Sequence, residues 1–175
     1  MKAIAVATLI CAIPIATCAA DAPSPYAPLA FLAGHCWQGA QPGAKKDIDT
    51  HCFSWIYGDK FMRDVHTVHG EGHLDYIGES IYFWDSAAKK LQYLYIENAG
   101  GSSKGAVERV GNALVFPPTD YQENGKTQTY RSRWTRGDAD AYDVITEFKK
   151  DDIWTTAWTV HMVELPASSA SAVSK

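Results

Sequence analysis

The chain has 175 residues, with 16 Lys or Arg against 20 Asp or Glu, which gives a formal net charge of −4 at pH 7. No segment concentrates basic residues, and this argues against nucleic acid as a partner. The length suits one domain built around a single hydrophobic core.

The first twenty residues have the features of a secretory signal peptide. A positive residue precedes an apolar run over residues 3–15, and small residues precede Asp21. The run is shorter than the roughly 20 apolar residues of a membrane-spanning helix, so no transmembrane segment is predicted. A periplasmic or secreted protein is therefore expected. Ile-Ala-Thr-Cys, which ends at Cys18, resembles a bacterial lipobox, and a lipid anchor on Cys18 is the alternative.

Outside the predicted signal peptide, the chain keeps two cysteines, Cys36 and Cys52. In an oxidising compartment, two cysteines are typical of a disulfide rather than of metal ligands or a catalytic pair. The sequence therefore predicts a bond between these two residues.

Almost every segment between residues 31 and 165 alternates apolar and polar side chains, as β-strands do, and turn signals separate the segments. The predicted organisation is a signal peptide at 1–20, a Pro/Ala-rich leader at 21–30, a folded domain at 31–165 and a disordered tail at 166–175. The predicted strands cover residues 34–39, 48–57, 60–69, 74–85, 90–98, 105–110, 113–117, 126–135, 140–150 and 153–165. Short links between about ten strands predict an all-β fold, an antiparallel up-and-down barrel, because closure removes exposed edges.

The segment Leu29-Ala-Phe-Leu-Ala-Gly34, followed by Trp37 and Gly39, resembles the FLAG-x-W-x-G opening of bacterial lipocalin-like proteins of the calycin type. Many of these proteins belong to domain families of unknown function. Two residues stand here between Gly34 and Trp37, where one spacer is usual. The resemblance implies a small up-and-down barrel and, by analogy, ligand binding. Phe31-Leu32 is expected to form a short helical plug at the base of the barrel.

Turn positions fix which strand residues face each other, and so which side chains share a face. A two-residue loop at Gly58-Asp59 places His51 opposite His66, and a three-residue loop at 70–72 places His66 opposite Tyr76. The link at 85–88 places Tyr82 beside Tyr93, Ser80 beside Tyr95 and Gly78 beside Glu97. These registers collect aromatic and imidazole side chains on one surface, which we expect to face the interior.

The candidate ligand-binding residues on that surface are Trp37, His51, Trp55, His66, Tyr76, Tyr82, Tyr93, Tyr95 and Glu97. Phenols and imidazoles that line a cavity suit a small apolar or aromatic guest, with a few polar groups to orient it. The alternative is that these rings face solvent, while the aliphatic residues on the opposite face form the core. Those aliphatic residues are Ile77, Ile81, Leu94 and Ile96.

If Cys36 and Cys52 are direct cross-strand partners, then His35, His51 and His66 share the face of Trp37. The three imidazoles raise the alternative of a metal site, such as zinc, or of a haem-facing histidine, and His161 is a further lone candidate for haem. No compact ligand motif such as HExxH is present, so no cofactor is expected. The histidines are expected instead to be neutral and hydrogen-bonded near Asp64 and Tyr76.

Motifs for an enzyme are few, and no catalytic residue is assigned. Tyr93-x-Tyr95-x-Glu97 places two phenols and a carboxylate on one strand face, and with Asp64 and His66 the set offers general acid–base chemistry on a phenolic or keto substrate. It resembles the Tyr and Glu arrangement of phenolic acid decarboxylases, which also use a cavity arginine. Arg63 is expected to point outward. The sequence does not indicate an oligomeric state.

Overall fold

The computed structural model describes residues 24–43, 47–138 and 140–166. The predicted signal peptide and all but the first residue of the predicted tail lie outside the described residues. Among the described residues, no helix is long and apolar enough to cross a membrane.

Ten antiparallel strands form one closed sheet, and each strand pairs with its neighbours in the chain. The strands are β1 (Cys36–Ala40), β2 (Ile48–Ile56), β3 (Phe61–His69), β4 (Tyr76–Asp85), β5 (Lys90–Glu97), β6 (Ser102–Val110), β7 (Ala113–Glu123), β8 (Lys126–Arg136), β9 (Ala141–Lys150) and β10 (Ile153–Glu164). The barrel closes where Trp37 of β1 faces Glu164 of β10. The predicted up-and-down barrel is confirmed, and it is compatible with a lipocalin-like fold.

A short plug closes one end of the barrel, as expected, but its helix lies earlier than Phe31-Leu32. A 3-10 helix spans Ala27–Leu29, in the segment expected to be a leader, and it carries a proline in its first turn. Leu29 and Leu32 are fully buried. The hydroxyl of Tyr26 donates to the carbonyl of Lys60 at 2.5 Å and accepts from the amide of Trp84 at 3.0 Å.

The predicted registers of β2 with β3 and of β4 with β5 are confirmed: His51 faces His66, and Tyr82 faces Tyr93. The register of β3 with β4 is shifted by two residues, so that His66 faces Gly78 instead of Tyr76. The link is longer than predicted, and Asp75 lies in it. His69 Nδ1 lies 2.6 Å from its carboxylate, and the amide of Asn98 donates to its carbonyl at 2.9 Å. An even shift leaves every side chain on its predicted face.

The aliphatic residues Ile77, Leu94 and Ile96 lie outside the barrel, at 47%, 43% and 51% exposure. Tyr82 and Tyr93, which alternate with them, are buried inside. The alternative assignment, with isoleucines in the centre, is therefore wrong. A barrel of this strand number has a wider interior than an eight-stranded one, and large rings are suited to line it.

The predicted disulfide is present, since Cys36 and Cys52 are joined by a bond of 2.04 Å. The two residues are also direct partners in the register of β1 with β2. The bond therefore ties the first strand of the closed sheet to its neighbour.

We expect Cys36→Ser to destabilise the oxidised protein by about 3 kcal/mol, the chain-entropy value for a loop of this length. Thermal unfolding followed by circular dichroism measures the loss, with the wild type as reference. In the presence of a thiol reductant, wild type and variant should melt alike. A loss of the same size in reductant would show that the serine acts through packing instead.

Candidate functional site

A cavity of about 460 Å³ lies inside the barrel. It reaches the end that carries the β1–β2 and β3–β4 links, where Gln41, Asp47 and His73 line it. This end is opposite the plug, because the turn at 57–60 and the link at 86–89 lie at the plugged end. The aromatic residues of the wall are Tyr76, Tyr82, Tyr93, Tyr95, Phe116, Tyr121, Tyr130, Trp134, Phe148 and Trp158.

Trp134 is central to the aromatic packing at the inner part of the cavity. Its ring stacks on Tyr142 at 5.6 Å between centroids and lies 4.8 Å from Phe116. Phe53 meets the same indole edge-on at 6.2 Å. Aromatic pairs with these spacings are favourable beyond the area that they bury, so the rings form a defined apolar surface.

Four tyrosine hydroxyls of the wall pair with one another. The oxygens of Tyr76 and Tyr95 lie 2.5 Å apart, and that of Tyr130 lies 2.8 Å from both Tyr93 and Ser103. Burial, together with the neighbouring phenols, raises the pKa of Tyr95 and Tyr130 far above the ordinary value. These phenols therefore stay neutral at physiological pH and offer hydrogen-bond donors rather than bases.

Two glycines give the tyrosine rings their space. A Cβ at Gly78 would overlap the ring of Tyr95, and a Cβ at Gly105 would overlap Thr119 and the ring of Tyr93. Both glycines face the interior from a strand next to the tyrosine's own strand. The missing side chains thus allow the rings to lie flat against the backbone.

We expect Gly78→Ala to destabilise the barrel by about 1–3 kcal/mol, because the methyl group must displace the ring of Tyr95. Gly137→Ala is the matched control, since its Cβ would meet nothing closer than 3.7 Å. Urea unfolding measures both variants. Equal stability of Gly78→Ala and the wild type would show that the ring has another position of similar energy.

A polar cluster occupies one side of the cavity wall, on β2 and β3. His51 Nδ1 lies 2.8 Å from Asp64 Oδ2, and His51 Nε2 lies 3.3 Å from Asp49 Oδ1. His66 Nε2 lies 2.8 Å from the same Asp49 oxygen. The rings of His51 and His66 stack with centroids 4.1 Å apart. One ligand atom each from Asp49, His51 and His66 lies within 4.8 Å of the others, so these three residues have the spacing to hold a metal ion.

The carboxylates determine the charge of His51. Burial by itself lowers the pKa of His51, but the charges of Asp64 and Asp49 outweigh burial and raise the pKa to about 10. Burial likewise raises the pKa of Asp49, but His51 and His66 lower it well below the ordinary value. The expectation of a neutral imidazole is therefore wrong for His51, whose ring lies between the side chains of Asp49 and Asp64.

The structure brings most of the predicted site residues together and leaves three outside the cavity. Those that line it are His51, His66, Tyr76, Tyr82, Tyr93 and Tyr95. Trp37 is buried against Phe31 and Tyr142, and Trp55 lies at the plugged end against Tyr26.

Glu97, the third of these, is bound by its own loop. Its carboxylate accepts hydrogen bonds from the amides of Ala99 and Gly101 and from the hydroxyl of Tyr121. It makes no hydrogen bond with Tyr93 or Tyr95, so the Tyr-x-Tyr-x-Glu segment does not act as one catalytic group in the described structure.

The arginines also differ from the decarboxylase-like arrangement. Arg63 points outward, as expected, and pairs with Glu79 at 2.6 Å, while Arg131 pairs with Glu147 at 2.5 Å. Arg133 is exposed. Within the described ranges, no arginine lines the cavity.

The alternative of a cluster of three histidines does not form. His35 is largely exposed and pairs with Glu164 at 2.6 Å, and Asp49 takes the third place beside His51 and His66. His161 lies on the outside with Asp143, at 2.7 Å. Neither His35 nor His161 reaches the cavity.

Sequence reasoning missed the cavity residues of β7 and β8, among them Phe116, Tyr130 and Trp134. The sequence does indicate the β7–β8 hairpin through the Asn124-Gly125 pair. This pair is typical of a tight hairpin turn, and it joins Glu123 to Lys126. Asp49 was missed although it lies two residues from His51, and alternate residues of a strand share a face.

A scan of protein-family models finds no match to this sequence, and a search of curated proteins finds none either.

Proposed function

We propose that this chain is an exported, lipocalin-like barrel that binds a small, mainly aromatic or apolar molecule inside its cavity. The observation that carries the proposal is the cavity itself, about 460 Å³ lined largely by aromatic rings. This volume lies within the roughly 300–1,000 Å³ of small-molecule sites. A barrel selected only for stability would be expected to fill such space with aliphatic side chains.

The distribution of polar groups on the cavity wall indicates which kind of molecule the cavity would bind. Trp134, Phe116 and Val144 supply an apolar surface, and the hydrogen-bonded phenols of Tyr76 and Tyr95 add polar groups to the wall. The acids and imidazoles lie on one side of the wall. A flat guest with one polar edge would match this division, because its ring would contact the aromatic surface while its polar edge met the other side.

Export is the other part of the proposal. The disulfide between Cys36 and Cys52 is typical of an oxidising compartment. The signal-peptide features of residues 1–20 agree with that compartment. A lipid anchor at Cys18 remains the alternative form of the exported chain.

N-Phenyl-1-naphthylamine, a neutral aromatic dye, is a suitable probe because the acidic side of the wall does not repel it. We expect saturable binding with one dye per barrel, followed by the rise in dye fluorescence. Tyr95→Ala should weaken binding about tenfold, because one aromatic contact is lost. Tyr57→Ala is the matched control, since Tyr57 is an exposed tyrosine outside the cavity.

A variant that fills the cavity gives the decisive comparison with the wild type. Val144→Trp should abolish dye binding, because Val144 lines the cavity and the indole would occupy it. Circular dichroism establishes that the variant is folded. Dye binding that Val144→Trp leaves unchanged, or a wild type that binds no dye, would contradict an internal site. Native mass spectrometry of the protein from its own host would then identify any retained guest.

A further inference from the structure

We propose that Asp49, His51 and His66 form a binding site for a divalent first-row transition metal ion of the Zn²⁺ or Fe²⁺ type, with an open coordination position toward the cavity. Metal binding here is independent of whether the cavity also takes an organic guest.

The strand geometry brings the three ligands to one patch of the inner wall. Asp49 and His51 are two residues apart on β2, so their side chains leave the same face of the sheet. His66 is the direct partner of His51 on β3. Cβ atoms of such cross-strand partners are about 5 Å apart, a spacing that two imidazoles can bridge with one ion.

The distances between donor atoms fit a metal centre. With metal–ligand bonds of about 2.0–2.1 Å, neighbouring ligands of a tetrahedral ion are about 3.3 Å apart. Asp49 Oδ1 lies 3.3 Å from His51 Nε2 and 2.8 Å from His66 Nε2. These two separations are within about half an ångström of that spacing, and all three donor atoms lie within 4.8 Å of one another.

The same atoms are poorly satisfied without an ion. Asp49 Oδ1 and His66 Nε2 are buried, and within the described structure neither makes an aligned hydrogen bond, although they lie close together. The Asp49 side chain is only 7% exposed. Buried polar atoms of folded proteins nearly always have a partner. An ion bound by both atoms would supply it.

The remaining ring nitrogen of His51 is held as metal-binding histidines usually are. Asp64 is fully buried, and its Oδ2 accepts the hydrogen of His51 Nδ1 at 2.8 Å. This hydrogen bond keeps the Nε2 edge of the ring on the side of Asp49 and His66, and a metal ion bound there would displace the Nε2 proton. The other oxygen of Asp49 accepts from the amide of Gln41 at 3.3 Å, which orients that carboxylate too.

The ligand set selects the class of ion. Two imidazoles and one carboxylate suit Zn²⁺ and Fe²⁺, whereas Ca²⁺ and Mg²⁺ prefer oxygen ligands alone. The carboxylates of Asp49 and Asp64 together balance a divalent charge. All three ligands line the cavity, so the remaining coordination position faces it and is accessible to water or to a donor atom of a small molecule.

The test uses the full, disulfide-bonded chain without a histidine tag, freed of metal by a chelator. Titration with Co²⁺, followed by visible absorption, and with Zn²⁺, followed by calorimetry, should show one ion per chain. Asp49→Asn and His66→Asn should each weaken binding at least 100-fold, because each removes a direct ligand. His161→Asn is the matched control and should leave the affinity unchanged, since His161 pairs with Asp143 outside the barrel.

A competition titration decides between the ions, and a substitute variant keeps the test valid if a ligand variant does not fold. Anaerobic Fe²⁺ competed against Zn²⁺ shows which ion the site prefers. If a ligand variant does not fold by circular dichroism, Asp64→Asn replaces it and should weaken binding about 10–100-fold. Three results would overturn the site: no 1:1 binding of Zn²⁺, Co²⁺ or Fe²⁺, equal binding of Ca²⁺, or equal losses in His161→Asn and the folded site variant.

Discussion

Pairing between β1 and β10, at Trp37 and Glu164, turns a meander of hairpins into a closed sheet. Once the sheet is closed, each strand residue has two possible environments, the interior or the outside, and neighbours alternate between them. The cavity, its aromatic wall and the Asp–His cluster all depend on this alternation. The disulfide ties β1 to β2 next to the closing contact, so the strand that completes the barrel is held on both sides.

The Asp–His cluster is costly as a purely structural element. Burying carboxylates in a low-dielectric interior is unfavourable unless positive charge and aligned hydrogen bonds compensate it. Asp64 gains such a bond from His51, but Asp49 Oδ1 has close neighbours without alignment. The aliphatic and aromatic residues elsewhere on the wall show that apolar side chains fit this interior. A cluster retained among them is more readily explained by a bound species than by stability.

The sequence predicted those features that depend on local periodicity. Alternation and tight turns predicted the barrel and the facing of His51 and His66, while the two cysteines of an exported chain predicted the disulfide. The β3–β4 register was predicted two residues out, and Asp75 of this longer link contacts Asn98, which is distant in sequence and which no local pattern indicates. Glu97 was placed on the correct face, but the amides that bind it belong to its own loop. The position of His35 depends on Glu164, which is distant in sequence, so no local pattern indicated that pair.

The plug formed by Tyr26, Leu29 and Leu32 closes one end of the barrel. Under the proposed function, a guest would enter and leave past Gln41 and His73, at the end of the cavity opposite the plug. One proposed guest would then have to leave before the next could enter, and its residence time would depend on this end of the cavity as well as on the wall. Substitutions at Gln41 or His73 would therefore alter how fast such a guest is taken up and released, while leaving the aromatic interior unchanged.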